Sequence, residues 1–311
     1  MSGKLFGRHG GTSRSIGRYL NCEFADNQVV AGWRGRHTIP LYNANAIVLH
    51  RFDLGETDRI VTLFSREHGR ISAVAKGSRR PTSRLSGATE PFTVARLLMA
   101  TGKSLDVISQ CEVRETFPAL RSDFETLMCA TYLCDLTACT LSEERAAQPV
   151  LYDELLSALY LVQLHPERAD LILRTYEMKS LAVLGYEPSL DRCALCGLKL
   201  SSQGTDYYSP SVGGVLCKKD WPQSSDRIRL NGEVKHAIAL MLRAELSDLL
   251  SYPIRPAIVS QVKRVLTPTL YGRLDRLPRS REFLDSLQKN WEKSIPANRP
   301  QADPESVPPE D

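Results

Sequence analysis

The hydrophobic period of this chain changes once, near Pro118, and the change dictates a two-part architecture. Between Asn45 and Cys111 the apolar residues come in short β-branched and aromatic runs, Ala46-Ile47-Val48-Leu49 and Ile60-Val61-Thr62-Leu63-Phe64 among them. Turn residues Asp53-Leu54-Gly55-Glu56 and His68-Gly69 separate these runs from one another and from Ile71 to Lys76. Alternation along this last run sets Ile71, Ala73 and Ala75 on one face and Lys76 on the other. Phe92 to Met99 and Leu105 to Cys111 follow, joined at Gly102-Lys103. Five short strands in succession predict a small closed barrel, because closure removes exposed edges. An OB-type barrel is the first expectation and an SH3-like barrel the alternative.

Beyond Pro118 the spacing becomes helical. Leu120, Phe124, Leu127, Met128, Thr131, Cys134, Ala138 and Leu141 form one stripe, and Leu151, Leu155, Leu159 and Val162 a second. A third helix over Glu167 to Leu184 is apolar around most of its circumference and is therefore the central one; Gly185 and Pro188 stop it. Helical spacing resumes at Glu233 and is expected to break at Pro268, before a last helix over Arg279 to Gln288. Cys129, Cys134 and Cys139 lie within the first helix and read as small buried hydrophobes.

The helical part is split by an insertion that carries three more cysteines. Cys193-Ala194-Leu195-Cys196-Gly197 and, twenty residues on, Cys217-Lys218-Lys219-Asp220 make a Cys-x2-Cys-x20-Cys-x2-Asp frame. This is a zinc-ribbon pattern with a carboxylate in place of the last thiolate. Zinc accepts oxygen as well as sulfur, so Cys193, Cys196, Cys217 and Asp220 are expected to hold a structural Zn²⁺ with no open position. A degenerate ribbon without metal, and His236 as a replacement fourth ligand, stay open at this point.

Charge is concentrated as sharply as the thiols. Arg66 to Arg84 is nineteen residues long and carries six basic side chains against Glu67; its formal charge of +5 exceeds the +4 of the whole 311-residue chain. Such a segment is the electrostatic footprint of a polyphosphate partner. Lys76, Arg79 and Arg80 form its centre, Arg70 and Arg84 extend it, Gly77 lets backbone approach a phosphate, and Ser78 and Ser83 add neutral donors. With no aromatic interleaving inside the run, affinity is expected to track the backbone and fall steeply with salt. A merely solvated loop is the alternative.

Composition is that of a globular protein, and no apolar run reaches membrane-spanning length. Without an apolar signal segment the chain is expected in the cytoplasm, its thiols reduced. No GxxxxGK[ST], HExxH or GxSxG is present, so ATPase, zincin and hydrolase readings lack their nucleus. Asp53, Glu56 and Asp58 read as turn-shaping carboxylates around Gly55, with a metal-dependent nuclease as the alternative.

Together these segments resemble the RecO family of bacterial recombination mediators. The resemblance is carried by Ala46-Ile47-Val48-Leu49, Gly55-Glu56-Thr57-Asp58-Arg59, Thr62-Leu63-Phe64, His68-Gly69-Arg70 and Ala75-Lys76-Gly77-Ser78-Arg79-Arg80, then by Cys193-x2-Cys196-Gly197, Gly213-Gly214-Val215-Leu216-Cys217 and Ser280-Arg281-Glu282-Phe283-Leu284. It implies an α+β multidomain chain: an N-terminal OB-fold barrel, a helical domain and an inserted zinc-ribbon-like module. It also implies a non-enzymatic protein that binds single- and double-stranded DNA, anneals strands, and works with RecR and single-stranded-DNA-binding protein in loading RecA during RecF-pathway repair near the nucleoid. Asp220 departs from the family pattern, in which many members have a fourth cysteine. The expected divisions are a basic extension at 1–43, the barrel at 44–114, helical parts at 115–189 and 231–290, the insertion at 190–230, and a proline-rich tail at 291–311. The C-terminal tail of the single-stranded-DNA-binding protein needs a basic, apolar pocket; Arg121, Tyr132 and Arg174 have the chemistry, although ordinary helix-surface positions are the expected reading of all three. A generic single-strand-binding scaffold without annealing activity completes the alternatives.

Overall fold

The computed structural model describes residues 39–142, 145–200 and 206–286. The C-terminal tail and nearly all of the N-terminal extension lie outside them. Five strands close a barrel in the order β1-β2-β3-β5-β4, with β1 (Leu41–Leu54), β2 (Asp58–Ser65), β3 (Gly69–Ala75), β4 (Val94–Ala100) and β5 (Asp106–Glu115). All pairings are antiparallel except β3 with β5, and β1 pairs with both β2 and β4, which closes the cylinder. A short helix α1 (Leu85–Ala88) bridges β3 to β4. This is the OB arrangement; the SH3-like alternative is set aside.

The run Ala46 to Leu49 is buried on both faces, which explains why it reads as continuous rather than alternating. Ala46 and Val48 point into the barrel with Leu63, Ile71, Ala73 and Leu97. Ile47 and Leu49 point outward and join Phe64, Phe92 and Val94 in the core of the helical domain. A bulge between Val48 and His50 resets the register between the two cores. Phe64 meets Tyr152 edge-on, ring centroids 5.6 Å apart. Each of these side chains contributes about 1.5–3 kcal/mol by leaving water, so barrel and helices form one packed body.

The helical domain comprises α2 (Pro118–Ser122), α3 (Phe124–Thr140), α4 (Pro149–Leu164), α5 (Ala169–Val183), α6 (Gly232–Arg243), α7 (Leu246–Leu249) and α8 (Pro256–Tyr271). The first expected stripe is two helices, because the Asp123 carboxylate accepts from Thr126 N–H at 2.9 Å and starts a new N-terminus. Central α5 is less apolar than its pattern suggests: Arg174 and Glu177 are fully buried in it. Pro268 does not break α8. The helix continues through it to Tyr271, and the flanking Val265, Leu266 and Leu270 are buried in the core, whose packing outweighs the lost hydrogen bond. Residues 281–286 are helical, so the described part of the last expected helix begins two residues late.

Two polar clasps cross from barrel to helices. Asp135 of α3 sits 2.5 Å from His50 Nε2 on β1 and accepts the Ser280 N–H at 2.8 Å. Arg66 at the end of β2 grips Asp153 of α4 through two 3.0 Å hydrogen bonds. The cysteine insertion folds as a three-stranded antiparallel sheet, β6 (Asp206–Ser209) between β7 (Gly214–Leu216) and β8 (Ile228–Leu230).

Candidate nucleic-acid interface and metal centre

The loop after β3 is built, not loose. Gly77 turns the chain at φ +65°, a conformation few other residues adopt, and donates its N–H to Asp58 Oδ1 at 2.8 Å. Thr57 Oγ1 reaches the same carboxylate oxygen at 2.8 Å, and Arg79 N–H bonds Thr57 C=O at 2.9 Å. These bonds hold the Asp58 carboxyl below its usual range, the Gly77 N–H contributing most and Thr57 next. The loop is thereby fastened to the β1–β2 turn. Arg79 donates to Gly55 C=O at 2.5 Å, and its Nε lies 3.5 Å from Asp53. Asp53 and Asp58 therefore shape and brace the turn; the structure provides for neither as a metal ligand, since the only potential metal-holding group among the described residues is the cysteine set.

Of the predicted basic residues, Lys76, Arg79 and Arg80 come together at this rim, all exposed, with the Arg80 stem close over Gly77. Arg84 is exposed at the start of α1, beyond them. Arg70 goes elsewhere: it is half-buried and lines a cleft of about 770 Å³ between barrel and helical domain. Two expected contributors change role, the neutral donor Ser78 and the backbone at Gly77. Ser78 is fully buried, and the Gly77 N–H is occupied by Asp58. Sequence reading missed the cleft because its cations, Arg51, Arg121, Arg276 and Arg279, are scattered across both domains. Only Phe52, exposed on β1 beside them, carried a signal: a large aromatic at an outward position of a barrel strand.

Tyr132 and Arg174 are not surface residues. Tyr132 is fully buried and donates to Glu177 Oε1 at 2.6 Å, and Arg174 Nη1 lies 2.8 Å from the same oxygen. Neither is accessible to a partner's tail. Arg121 is half-buried, bonded to the carbonyls of Thr116 and Pro91 and stacked on Phe92 with 5.3 Å to the ring centroid.

In the insertion, the four expected ligands meet. The Sγ atoms of Cys193, Cys196 and Cys217 and a carboxylate oxygen of Asp220 all lie within 4.8 Å of one another. Two knuckles present them. In the first, Cys193 C=O accepts from Gly197 N–H at 2.9 Å; in the second, Cys217 C=O accepts from Asp220 and Trp221 N–H at 3.0 and 2.9 Å. Gly214 permits the close approach of the first knuckle to β7, since a Cβ there would stand 2.8 Å from Ala194 Cβ. Cys196 and Cys217 sulfurs are 3.7 Å apart, close to the edge of a tetrahedron with metal–sulfur bonds of about 2.3 Å. Asp220 Oδ2 is 3.1 Å from both Cys193 and Cys217 Sγ, so this oxygen completes the donor set. The Asp220 carboxyl is held low by thiol hydrogen bonds, that of Cys196 first, and the same contact pushes Cys196 up to about 12. Cys193 is opposed by burial, yet backbone N–H groups of Cys196, Cys217 and Leu195 bring its thiol below the ordinary value. Three of the four ligands are buried, and only Cys196 is exposed. His236 stands exposed on α6, outside the group. The residues thus fit a closed four-ligand metal ion.

Sequence comparison agrees with this architecture. Residues 39–117 match the model of the recombination protein O N terminal domain, and 121–282 that of the recombination protein O C terminal domain. The chain is 34% identical over 249 residues to the DNA repair protein RecO of Symbiobacterium thermophilum, covering 80% of this chain and 98% of that protein. It is 37% identical over 245 residues to that of Pelotomaculum thermopropionicum, covering 79% and 94%. With that of Bifidobacterium adolescentis, identity is 32% over 248 residues, 79% of this chain and all of the relative. No helix among the described residues is long and apolar enough to cross a membrane. Since both domain models match in their own order and relatives align over nearly their whole length, the chain belongs to the RecO family of DNA repair proteins.

Proposed function

We propose that this chain is a non-enzymatic DNA-binding mediator that anneals complementary strands and, with RecR, helps load RecA onto DNA coated by single-stranded-DNA-binding protein. The carrying observation is where the cations stand. Lys76, Arg79 and Arg80 crown a loop braced on the β1–β2 turn, and OB barrels take oligonucleotides on the face of strands two and three and its flanking loops. Guanidinium forks suit phosphate oxygens, so the barrel follows a sugar–phosphate backbone with little regard to sequence. Annealing needs no reacting side chain. It needs two like-charged strands to be brought together, which cationic neutralisation accomplishes.

The test is a labelled oligonucleotide and its complement, incubated with protein and a titration of Mg²⁺ or Zn²⁺. Faster duplex formation with intact strands is expected. Cleavage would transfer the chain to the nuclease reading.

The metal in the knuckles is proposed to be Zn²⁺, held by Cys193, Cys196, Cys217 and Asp220. Bound there it cross-links the two knuckles; with four protein ligands it has no position for substrate. Purified protein should carry about one equivalent of zinc, and Cys217→Ser should lower that content and loosen the insertion. Less than a tenth of an equivalent in the wild type would reject the ligated site.

A further inference from the structure

The sheet face that bears Lys76 does not end at the barrel rim. Alternation along β3 places Arg70, Ser72, Val74 and Lys76 on the same outward face, and register continues it across β2 to β1: Val74 faces Ile60, which faces Phe52. Six residue steps lead from Arg70 to Lys76 just past the end of β3, about 20 Å at 3.3 Å per residue. At the Arg70 end this face enters the 770 Å³ cleft, whose far wall belongs to the helical domain. There Arg121, at the end of α2, and Arg276 and Arg279, after α8, face the barrel across from Arg51 and Arg70.

Five arginines line the cleft against two carboxylates, Glu90 and Asp135. Both carboxylates are engaged, Glu90 with Arg51 and Arg59, Asp135 with His50. Arg121 and Arg276 also donate to backbone carbonyls, Arg276 to Ala138 at 3.1 Å, which leaves their charge in place, so the lining carries more cations than carboxylates. Phe52, 54% exposed, stands on the route from the rim to these arginines. A flat apolar ring between two groups of guanidinium and ammonium ions matches a strand whose anions alternate with flat bases.

We infer that the cleft is the second half of a single-strand track: DNA crosses from Lys76 and Arg80 over Phe52, and its next phosphates enter between Arg70 of the barrel and Arg276 and Arg279 of the helical domain. This inference rests on the DNA-binding reading above and adds to it a helical-domain wall. A short acidic, apolar peptide would also find cations here, but the continuity of the cleft with the basic rim favours the longer polyanion.

The test uses the full chain and a fluorescein-labelled oligothymidylate, with anisotropy followed across a salt titration. Arg276→Ala with Arg279→Ala should weaken binding about tenfold near physiological salt. The log–log salt slope should become shallower by about 1.4, from about 0.7 per phosphate contact on single strands. The Arg276→Lys, Arg279→Lys pair should retain most of the slope, and Phe52→Ala should weaken binding while leaving the slope unchanged. Wild-type affinity and slope in the alanine pair overturn the inference, as does an equal loss in the lysine pair, which would mark a structural role. If Lys76→Ala, Arg79→Ala, Arg80→Ala abolishes binding while the cleft pair does nothing, the cleft alone is excluded; if neither variant matters, the barrel reading fails as well. Loss of an aspartate-rich apolar peptide in the cleft pair, with oligonucleotide binding intact, would assign the cleft to peptide instead.

Discussion

Glu177→Gln should destabilise the protein by about 3–5 kcal/mol, the cost of leaving one partner of a buried ion pair uncompensated. The substitution keeps shape and removes charge. Arg174 is 1% exposed, and among the described residues its guanidinium would keep Asp170, 3.5 Å from its Nε, as its one charged partner, beside the neutral Thr267 hydroxyl. Burial works against the Arg174 charge, yet the carboxylates of Glu177 and Asp170 together hold its pKa above the ordinary arginine value. Burial likewise pushes the Glu177 carboxyl up, against the pull of Arg174 and the Tyr132 hydroxyl. Nη2 of Arg174 is buried without a hydrogen-bond partner among the described residues, so the pair is already under-satisfied. Removing both charges together should therefore be far milder than removing one: Arg174→Met with Glu177→Leu should lie within about 2 kcal/mol of the wild type. Urea midpoints at unchanged m-value measure both. A Glu177→Gln shift below about 1 kcal/mol, or a double variant as unstable as the single, would contradict this account of α5.

The second large effect falls on binding. Lys76→Ala, Arg79→Ala, Arg80→Ala should lower single-strand affinity about 50-fold near physiological salt and flatten the log–log slope by about 2, at roughly 0.7 per lost contact. All three side chains are exposed. Their contribution to stability is correspondingly small: the one ion pair they make among the described residues, Arg79 with Asp53 at 3.5 Å, is a surface pair worth about 0–1 kcal/mol. A fluorescence anisotropy titration beside a thermal melt separates the two quantities. Unchanged affinity and slope, in a protein that melts as the wild type does, would remove these residues from the interface.

The barrel was legible because its signals are local. Turn glycines, alternation in Ile71 to Ala75 and the apolar run at Ala46 all speak within one strand or its neighbour. The two knuckles were legible for the same reason, since ligand spacing is a property of short turns. What depended on distant partners was not. Arg174 and Tyr132 read as surface residues until Glu177 and the surrounding helices enclosed them. Arg66 and Arg70 counted toward one basic run, yet Arg66 clips α4 and Arg70 faces the helical domain. Formal charge along a sequence does not say which cations a second domain will use. The same blindness hid the arginine cleft, whose walls are brought together by packing of Ile47, Leu49 and Phe64 against the helices and by the His50–Asp135 clasp. Pro268 taught the converse: a strong local stop signal yields when it falls in a last turn already fixed by buried neighbours.

The most direct measurement is annealing of complementary strands already coated by single-stranded-DNA-binding protein. A mediator should drive these coated strands into duplex, and the Lys76→Ala, Arg79→Ala, Arg80→Ala variant should do so poorly. Binding of naked DNA with no annealing of coated strands would contradict the mediator reading and leave a generic DNA-binding module.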